Sequence, residues 1–137
     1  MTVFKNPFNF SRNRSLHVDK KKDLGKKGEE LAVQFIRRQG FEILERNYHH
    51  RRGEIDIVAR DRKTLVFIEV KTATSNQYGP PESWVDSRKQ QQVAKIAAAY
   101  LQERKVTNVD CRFDVIAVDH TRENSINHIQ NAFWIET

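Results

Sequence analysis

The stretch GEIDIVARDRKTLVFIEVK, residues 53–71, decides the fold of this chain. Its polar and apolar residues alternate as they do in β-strands, and a turn-like Asp-Arg-Lys at 61–63 separates two such runs. The pattern therefore predicts a β-hairpin. Asp56, Glu69 and Lys71 interrupt its most apolar runs, where charged side chains are rarely buried without a partner or a function.

The register of this hairpin follows from counting back from the turn. If residues 61–64 form the loop, Arg60 pairs with Leu65, and Asp56 then lies directly opposite Glu69. Directly opposed residues have Cβ atoms about 4.5 to 5.5 Å apart, so two carboxylates there repel each other unless a cation lies between them. Oxygen ligands of this kind suit a hard divalent ion, Mg²⁺ or Mn²⁺. A cross-strand ionic cluster of these two acids with Lys71, without a metal, fits the same pattern.

The faces of the two strands follow from the alternation of side chains. Glu69 and Lys71 are expected on one face, about 6 to 7 Å apart along the strand. In the preceding strand, Asp56 is expected on one face and Ile55 and Ile57 on the other. A lysine beside a metal site can orient or deprotonate a water, or stabilise charge that develops on a phosphate.

Two helices and further strands flank the hairpin. An apolar stripe predicts a helix over 24–39, ended by Gly40 at the C′ position. A second helix is predicted over 87–104, with Asp86 or Ser87 as its N-cap. Strands are predicted over 41–47, 54–60, 64–71, 112–118 and 126–135. The order α-β-β-β-α-β-β predicts an α/β fold, in which helices pack on the faces of a mixed sheet.

Each predicted helix adds a candidate site residue. On a helical wheel Glu29 lies at the edge of the apolar stripe, whereas Glu30 faces solvent. Glu29 can lean towards the predicted acids or remain an ordinary boundary glutamate. Lys89 falls on the buried face near the start of the second helix, which suits a phosphate contact or a side chain that reaches solvent past the helix end. Arg88 points elsewhere and is interpreted as a surface charge.

The net charge of +6 is concentrated at one end of the chain. Residues 1–28 contain eight Lys and Arg, among them Lys26 and Lys27, against two Asp, so the remainder is neutral. We therefore divide the chain into a basic arm, 1–22, and a domain, 23–137. Such an arm binds phosphate backbones through counterion release, or serves only as a solvated leader.

A second basic segment lies just before the hairpin. Arg51 and Arg52 follow His49 and His50 in a predicted polar turn and are candidates for phosphate contact. A solvated polar turn without a ligand is the alternative.

Length and composition limit the class of protein. The 137 residues correspond to one domain with one core. The longest apolar run, 96–101, is too short to span a bilayer. Cys111 is the only cysteine, which excludes an internal disulfide and a cysteine-based zinc site. These features predict a cytoplasmic protein.

Five sequence blocks, in this order, resemble a known family: GKKGEELAVQFIRRQGF, GEIDIVARD, LVFIEVKT, YGPPESWVDSRK and RFDVIAV. They resemble the uncharacterised YraN-type family, which is regarded as related to archaeal Holliday junction resolvases. The succession of a helix with Glu, a strand with Asp, a Glu-x-Lys strand and a second helix likewise resembles the PD-(D/E)xK, or restriction-endonuclease-like, superfamily. The resemblance covers most of the chain and leaves out the basic arm.

This resemblance implies an αβββαβ core and a metal-dependent endonuclease that acts as a homodimer on DNA, including branched or damaged DNA. Asp56 matches the motif aspartate, Glu69 the motif acid and Lys71 the motif lysine. Glu29 matches the first-helix glutamate of the resolvases. It further implies that Mg²⁺, with Mn²⁺ as a substitute, is held by Asp56, Glu69, the carbonyl of Val70 and Glu29. Lys71 would position the attacking water.

Several alternatives stay open at this stage. A nucleic-acid-binding or adaptor protein could retain the fold without cleavage, and phosphate chemistry alone does not distinguish DNA from RNA. Tyr78 and Trp84 are candidates for a dimer edge or a DNA contact, with loop packing as the simpler role. Asp114 is interpreted either as part of the family's site or as a structural residue of the fourth strand.

Overall fold

A five-stranded mixed sheet with a helix on each face is the framework of this computed structural model, which describes residues 9–51, 53–73 and 85–133. A 3-10 turn over His120–Arg122 precedes the last strand. The helices and strands are α1 (Asn9–Arg38), β1 (Glu42–His50), β2 (Gly53–Asp61), β3 (Thr64–Ala73), α2 (Ser87–Glu103), β4 (Asp110–Asp119) and β5 (Ser125–Ile129). The α/β class and the order of elements are confirmed.

The strands lie in the order β1-β2-β3-β4-β5. Neighbours are antiparallel except β3 and β4, which are parallel and are joined through α2. In the β2–β3 hairpin Arg60 pairs with Leu65, as predicted, and the paired residues continue to Ile57 and Ile68. The ladder ends there, so the predicted pair of Asp56 with Glu69 is not among the paired residues and lies just beyond them.

The first helix is longer than its apolar stripe. It begins at Asn9, not at Leu24, because the basic segment before the stripe contains no Gly or Pro and is rich in Lys and Arg, which are good helix formers. The proposed division at residue 22 stays a prediction. At the other end Gly40 has a φ of 94°, which confirms its predicted C′ position, and the Phe41 N–H donates to the Ile36 carbonyl at 2.9 Å, as in a Schellman motif. Within the described residues, no helix is both long and apolar enough to cross a bilayer.

The strict alternation predicted for β2 is wrong at one position. Ile55 packs in the cluster on the α2 side of the sheet, whereas Ile57 packs in the cluster on the α1 side. Asn47 of β1 lies between their pairing partners, Tyr48 and Arg46, and has a left-handed φ of 52°. This backbone turns the strand pair, so that the residues on either side of Asp56 no longer share a face.

Three further boundaries differ from the predictions. β1 continues through His50, so the turn expected there begins later, at Arg51. β4 is longer than expected at both ends, starting at Asp110. β5 ends at Ile129 rather than at residue 135, because its paired residues run only from Ser125 to Ile129 against β4.

Two apolar clusters hold the helices on the sheet. The cluster on the α2 side is built around Phe67, Val93 and Tyr100. On the α1 side, Val33 and Ile36 of the helix pack against side chains of the strands. With one helix on each face, the start of β2 and the end of β3 lie between the two helices. The candidate site is at this end of the two strands.

Candidate functional site

Two buried acids mark the end of the β2–β3 ladder. Asp56 is only 8% exposed, and the side chain of Glu69 is 19% exposed. The N–H of Val70, on β3, donates to Asp56 Oδ2 at 2.8 Å. This hydrogen bond crosses from one strand to the other just beyond the paired residues and fixes the Asp56 carboxylate beside the backbone of Glu69.

The two carboxylates disfavour each other's charge. Burial first, and then the nearby Glu69 carboxylate, raise the pKa of Asp56 to about 7 against the opposing effect of the Val70 N–H. Burial also raises the pKa of Glu69, while the Lys89 ammonium works against that rise. A desolvated pair of acids of this kind is most stable in its charged form when a cation lies close by.

The helix α1 brings a third acid to this end of the sheet. Glu29 is half-buried, and its pKa is raised first by burial and then by the nearby Glu54 carboxylate. The close approach depends on Gly28, where a Cβ would lie 2.4 Å from the hydroxyl of Thr72 on β3. Glu30 is exposed and accepts a hydrogen bond from Arg46 at 3.0 Å, so its predicted orientation towards solvent is confirmed.

Two lysines border Glu69. The Lys89 Nζ lies 3.5 Å from Glu69 Oε1, and the exposed Lys71 is close enough to lower the pKa of that carboxyl. The first turn of α2 is held by Asp86, whose carboxylate accepts the backbone N–H of Lys89 at 2.9 Å and so proves to be the N-cap. Lys89 therefore contacts an acid of the site. Its side chain is 38% exposed, so a further anion can also reach its ammonium.

Glu54 is a fourth acid that the sequence did not single out. Its carboxylate raises the pKa of Glu29, Asp56 and Glu69, which places it within electrostatic reach of all three. His49 lies against it, with Nε2 at 3.3 Å from Glu54 Oε2. The signal for Glu54 was its position two residues before Asp56 on the same strand.

The side-chain donors at this end of the sheet are carboxylate oxygens, a type of ligand that suits a hard divalent ion. Among the described residues, no three side chains of His, Cys, Asp or Glu are grouped closely enough to hold an ion. The hard oxygen donors at this point are the carboxylates of Asp56 and Glu69, and Glu29 is the next acid. Such oxygens suit Mg²⁺ and Mn²⁺ better than softer metals.

The comparisons with known proteins agree with the sequence blocks described above. The model of a family described as "Uncharacterised protein family UPF0102" matches residues 28–118. The chain belongs to this family. The resemblance to the YraN-type family is thereby confirmed, and the matched segment contains the acids and lysines of the candidate site.

The chain matches relatives that are named only as UPF0102 proteins, and each match covers nearly the whole length of the relative. One from Geobacter metallireducens is 51% identical over 120 residues, which is 87% of this chain and 96% of the relative. One from Chlorobium phaeobacteroides is 50% identical over 118 residues, 81% of this chain and 94% of the relative. One from Persephonella marina is 44% identical over 112 residues, 82% and 94% of the two chains. The names state no activity.

Of the other residues predicted to contact nucleic acid, some lie within the described residues of this UPF0102 chain and some lie outside them. Lys26 and Lys27 are exposed on α1, and Lys26 precedes Glu29 by three residues, so the two are neighbours on the helix surface. Arg51 is exposed at the β1–β2 turn. Arg52, together with Tyr78 and Trp84, lies outside the described residues.

Asp114 belongs to a separate buried cluster, not to the acids at the end of the hairpin. It is 1% exposed and accepts hydrogen bonds from Arg112, at 2.9 and 3.0 Å, from His128 at 2.8 Å and from the Asn131 N–H at 2.9 Å. Burial alone would raise the pKa of Asp114, yet these hydrogen bonds hold it below the usual value. Asp114 thus has the interactions of a structural residue. His128, to which the sequence assigned no role, became significant only through the pairing of β4 with β5.

Proposed function

We propose that this UPF0102 protein is a metal-dependent endonuclease that hydrolyses phosphodiester bonds of DNA. The observation that carries the proposal is the desolvated Asp56–Glu69 pair, fixed by the Val70 N–H and bordered by Lys71 and Lys89. Two acids that need a cation, beside two lysines that suit an anion, match the charges of a metal ion and a phosphate.

Asp56, Glu69 and the carbonyl of Val70 would hold Mg²⁺, or Mn²⁺ in its place, and Glu29 would complete the set directly or through water. When bound, the ion supplies Lewis-acid polarisation of a phosphodiester oxygen. The donors are hard oxygens that suit either ion.

The lysines have separate tasks in this proposal. Lys71 is exposed beside Glu69, where its ammonium can donate to the attacking water and hold it in line with the scissile bond. Lys89 stands at the start of α2 and contacts a phosphate oxygen with its accessible ammonium. The product of this chemistry is a hydrolysed phosphodiester, without a covalent enzyme intermediate.

The resemblance to resolvases extends the proposal to branched or damaged DNA in the cytoplasm. Cutting two strands symmetrically requires two sites related by a twofold axis, which a homodimer provides. RNA shares the same phosphodiester chemistry and is therefore included among the substrates to be tested.

The experiment is a cleavage assay on four-way, flapped, single-stranded and linear DNA and on RNA, with Mg²⁺, Mn²⁺ or EDTA. Wild type is compared with Asp56→Asn and Lys71→Ala. The matched controls are Asp110→Asn and Lys63→Ala. Asp110 is an exposed acid at the start of β4, and Lys63 is an exposed lysine in the β2–β3 turn. We expect metal-dependent cutting that both site variants lose by at least about 100-fold, the usual scale of a positioned acid-base group, while the controls retain it.

Cutting in EDTA, or cutting by both site variants at the wild-type rate, would refute the proposal. A second candidate, DNA binding without cleavage, is favoured by one observation: the Lys89 ammonium already lies on Glu69 and partly neutralises it. Binding by wild type with no cutting of any substrate in either metal would support this candidate.

A further inference from the structure

A groove with an accessible volume of about 660 Å³ lies between the β1–β2 turn and α2. Arg51 stands on the turn side, Gly53 forms part of the floor, and Arg88, Gln91 and Lys95 stand on the helix side. These helix positions are separated by three and four residues and therefore form one stripe along α2.

The cations of this groove are unneutralised. Arg51, Arg88 and Lys95 are exposed, and none of them forms an ion pair with a carboxylate of the described residues. The described residues that line the groove include no Asp or Glu. Elsewhere on the sheet the pattern differs, since Arg46 pairs with Glu30. The groove is thus a site of uncompensated positive charge, which attracts polyanions.

The dimensions of the stripe fit a phosphate backbone. Arg88 and Lys95 are seven residues apart on α2, a distance of about 10 Å along the helix axis. One strand of a DNA duplex carries a phosphate for about every 3.4 Å of its axis, so the stripe spans about three phosphates. Gln91, exposed between the two cations, adds an amide donor.

The groove leads to the acids of the candidate site. Gly53 on its floor directly precedes Glu54, and Arg88 directly precedes Lys89, which contacts Glu69. The close contact depends on the missing side chain of Gly53, where a Cβ would lie 2.6 Å from Ile96 Cδ1 of α2. A strand that followed the groove would therefore arrive beside the carboxylate pair.

We propose that this groove binds the sugar–phosphate backbone of double-stranded DNA next to the bond to be cut, without reading its sequence. The identity of the ligand rests on the proposed function. Duplex rather than single-stranded DNA is favoured, because the described lining contains no Phe, Tyr or Trp on which unpaired bases could stack. The interpretation of Arg88 as a mere surface charge is extended accordingly.

The test measures the salt dependence of binding to a labelled linear duplex by fluorescence anisotropy, in EDTA and in the Asp56→Asn background, so that nothing is cut. The triple variant Arg51→Gln, Arg88→Gln, Lys95→Gln is compared with a control triple, Arg37→Gln, Arg62→Gln, Lys105→Gln, whose residues are exposed and lie outside the groove. Circular dichroism establishes that both triples are folded.

We expect the slope of log K against log salt concentration to fall in magnitude by about 2 to 3 in the groove triple, since each lost phosphate contact removes about 0.9 for duplex DNA. In the control triple the change should be smaller than one contact. An unchanged slope, or one equal to that of the control, overturns the proposal. A change seen with single-stranded DNA or RNA but not with duplex overturns the choice of ligand.

The groove and the nuclease proposal fail separately in these experiments. A wild type that cuts no substrate, together with the expected slope change, refutes the nuclease and supports the groove. A wild type that cuts, together with an unchanged slope in the groove triple, refutes the groove and leaves the nuclease standing.

Discussion

Replacing Asp56 with Asn should stabilise the metal-free protein at neutral and alkaline pH. The amide oxygen of Asn can still accept the Val70 N–H that Asp56 Oδ2 accepts at 2.8 Å, and the two side chains have nearly the same size. The substitution therefore removes the charge and leaves the packing. It also ends the repulsion with Glu69 that contributes to the raised pKa of Asp56.

The magnitude follows from the pKa of Asp56, which burial and the nearby Glu69 carboxylate raise from an ordinary 3.8 to about 7. The folded state binds this proton more tightly than the unfolded state, so stability falls as the pH rises from about 4 to about 7 and stays reduced above. This difference in pKa between the folded and unfolded states corresponds to at most about 4 kcal/mol of stability, of which about 2 kcal/mol is lost between about pH 5.5 and about pH 8.

The assay is urea unfolding of wild type and Asp56→Asn in EDTA at these two pH values. The free energy of unfolding of wild type should fall relative to the variant by about 2 kcal/mol between about pH 5.5 and about pH 8. Asp110→Asn, at an exposed acid, should follow wild type. Adding Mg²⁺ or Mn²⁺ at about pH 8 should stabilise wild type but not the variant, because only wild type retains the charged pair.

A parallel fall in wild type and Asp56→Asn would refute the reasoning, because it would show that Asp56 titrates at its ordinary pKa or is already balanced by a cation of the protein. A variant that is less stable than wild type at alkaline pH in EDTA would refute it more strongly.

Three further predictions concern packing and charge. In chemical denaturation, Gly25→Ala should stabilise the protein by up to about 1 kcal/mol, because a Cβ there meets nothing within 4 Å and Ala is the better helix former. Gly28→Ala should instead destabilise it by about 1 to 3 kcal/mol, because the added Cβ clashes with β3. Asp114→Ala should reduce the free energy of unfolding by about 3 to 5 kcal/mol, since it leaves the Arg112 guanidinium and the His128 ring without their buried acceptor. Lys89→Gln should raise the pKa of the Glu69 carboxyl in an NMR titration, because the ammonium that lowers it is lost.

Each of these has an outcome that would contradict it. Equal effects of the two glycine substitutions would mean that α1 does not approach β3 as closely as described. A mild effect of Asp114→Ala would show that water replaces the lost acceptor. An unchanged pKa of Glu69 in Lys89→Gln would place the ammonium away from the carboxylate in solution.

The sequence was sufficient for the features that local rules determine. The alternation of residues and a tight turn give the pairing of Arg60 with Leu65, and so bring Asp56 and Glu69 to the same end of the hairpin. Helical periodicity alone separated Glu29 from the exposed Glu30. These inferences need only the geometry of one element or of one hairpin.

Features that depend on tertiary contacts were missed. The helix α1 extends to Asn9 although no apolar stripe marks its first turns, because helix propensity does not require burial. The groove required α2 to dock beside the β1–β2 turn, so Arg51 and Arg88 carry no shared signal in the sequence. The environment of Asp114 required β5 to bring His128 against β4.

The left-handed backbone of Asn47 also affects how copies of this chain can meet. β1 is an edge strand of nine residues, and such a strand offers unpaired main-chain groups on which a second sheet can grow. Besides Asn47, a register shift between Ile43 and Glu45 interrupts this edge. A bent and interrupted edge is a poor template for further strands, which protects the sheet from aggregation through β1. If symmetric cutting requires a homodimer, we expect it to form through another surface.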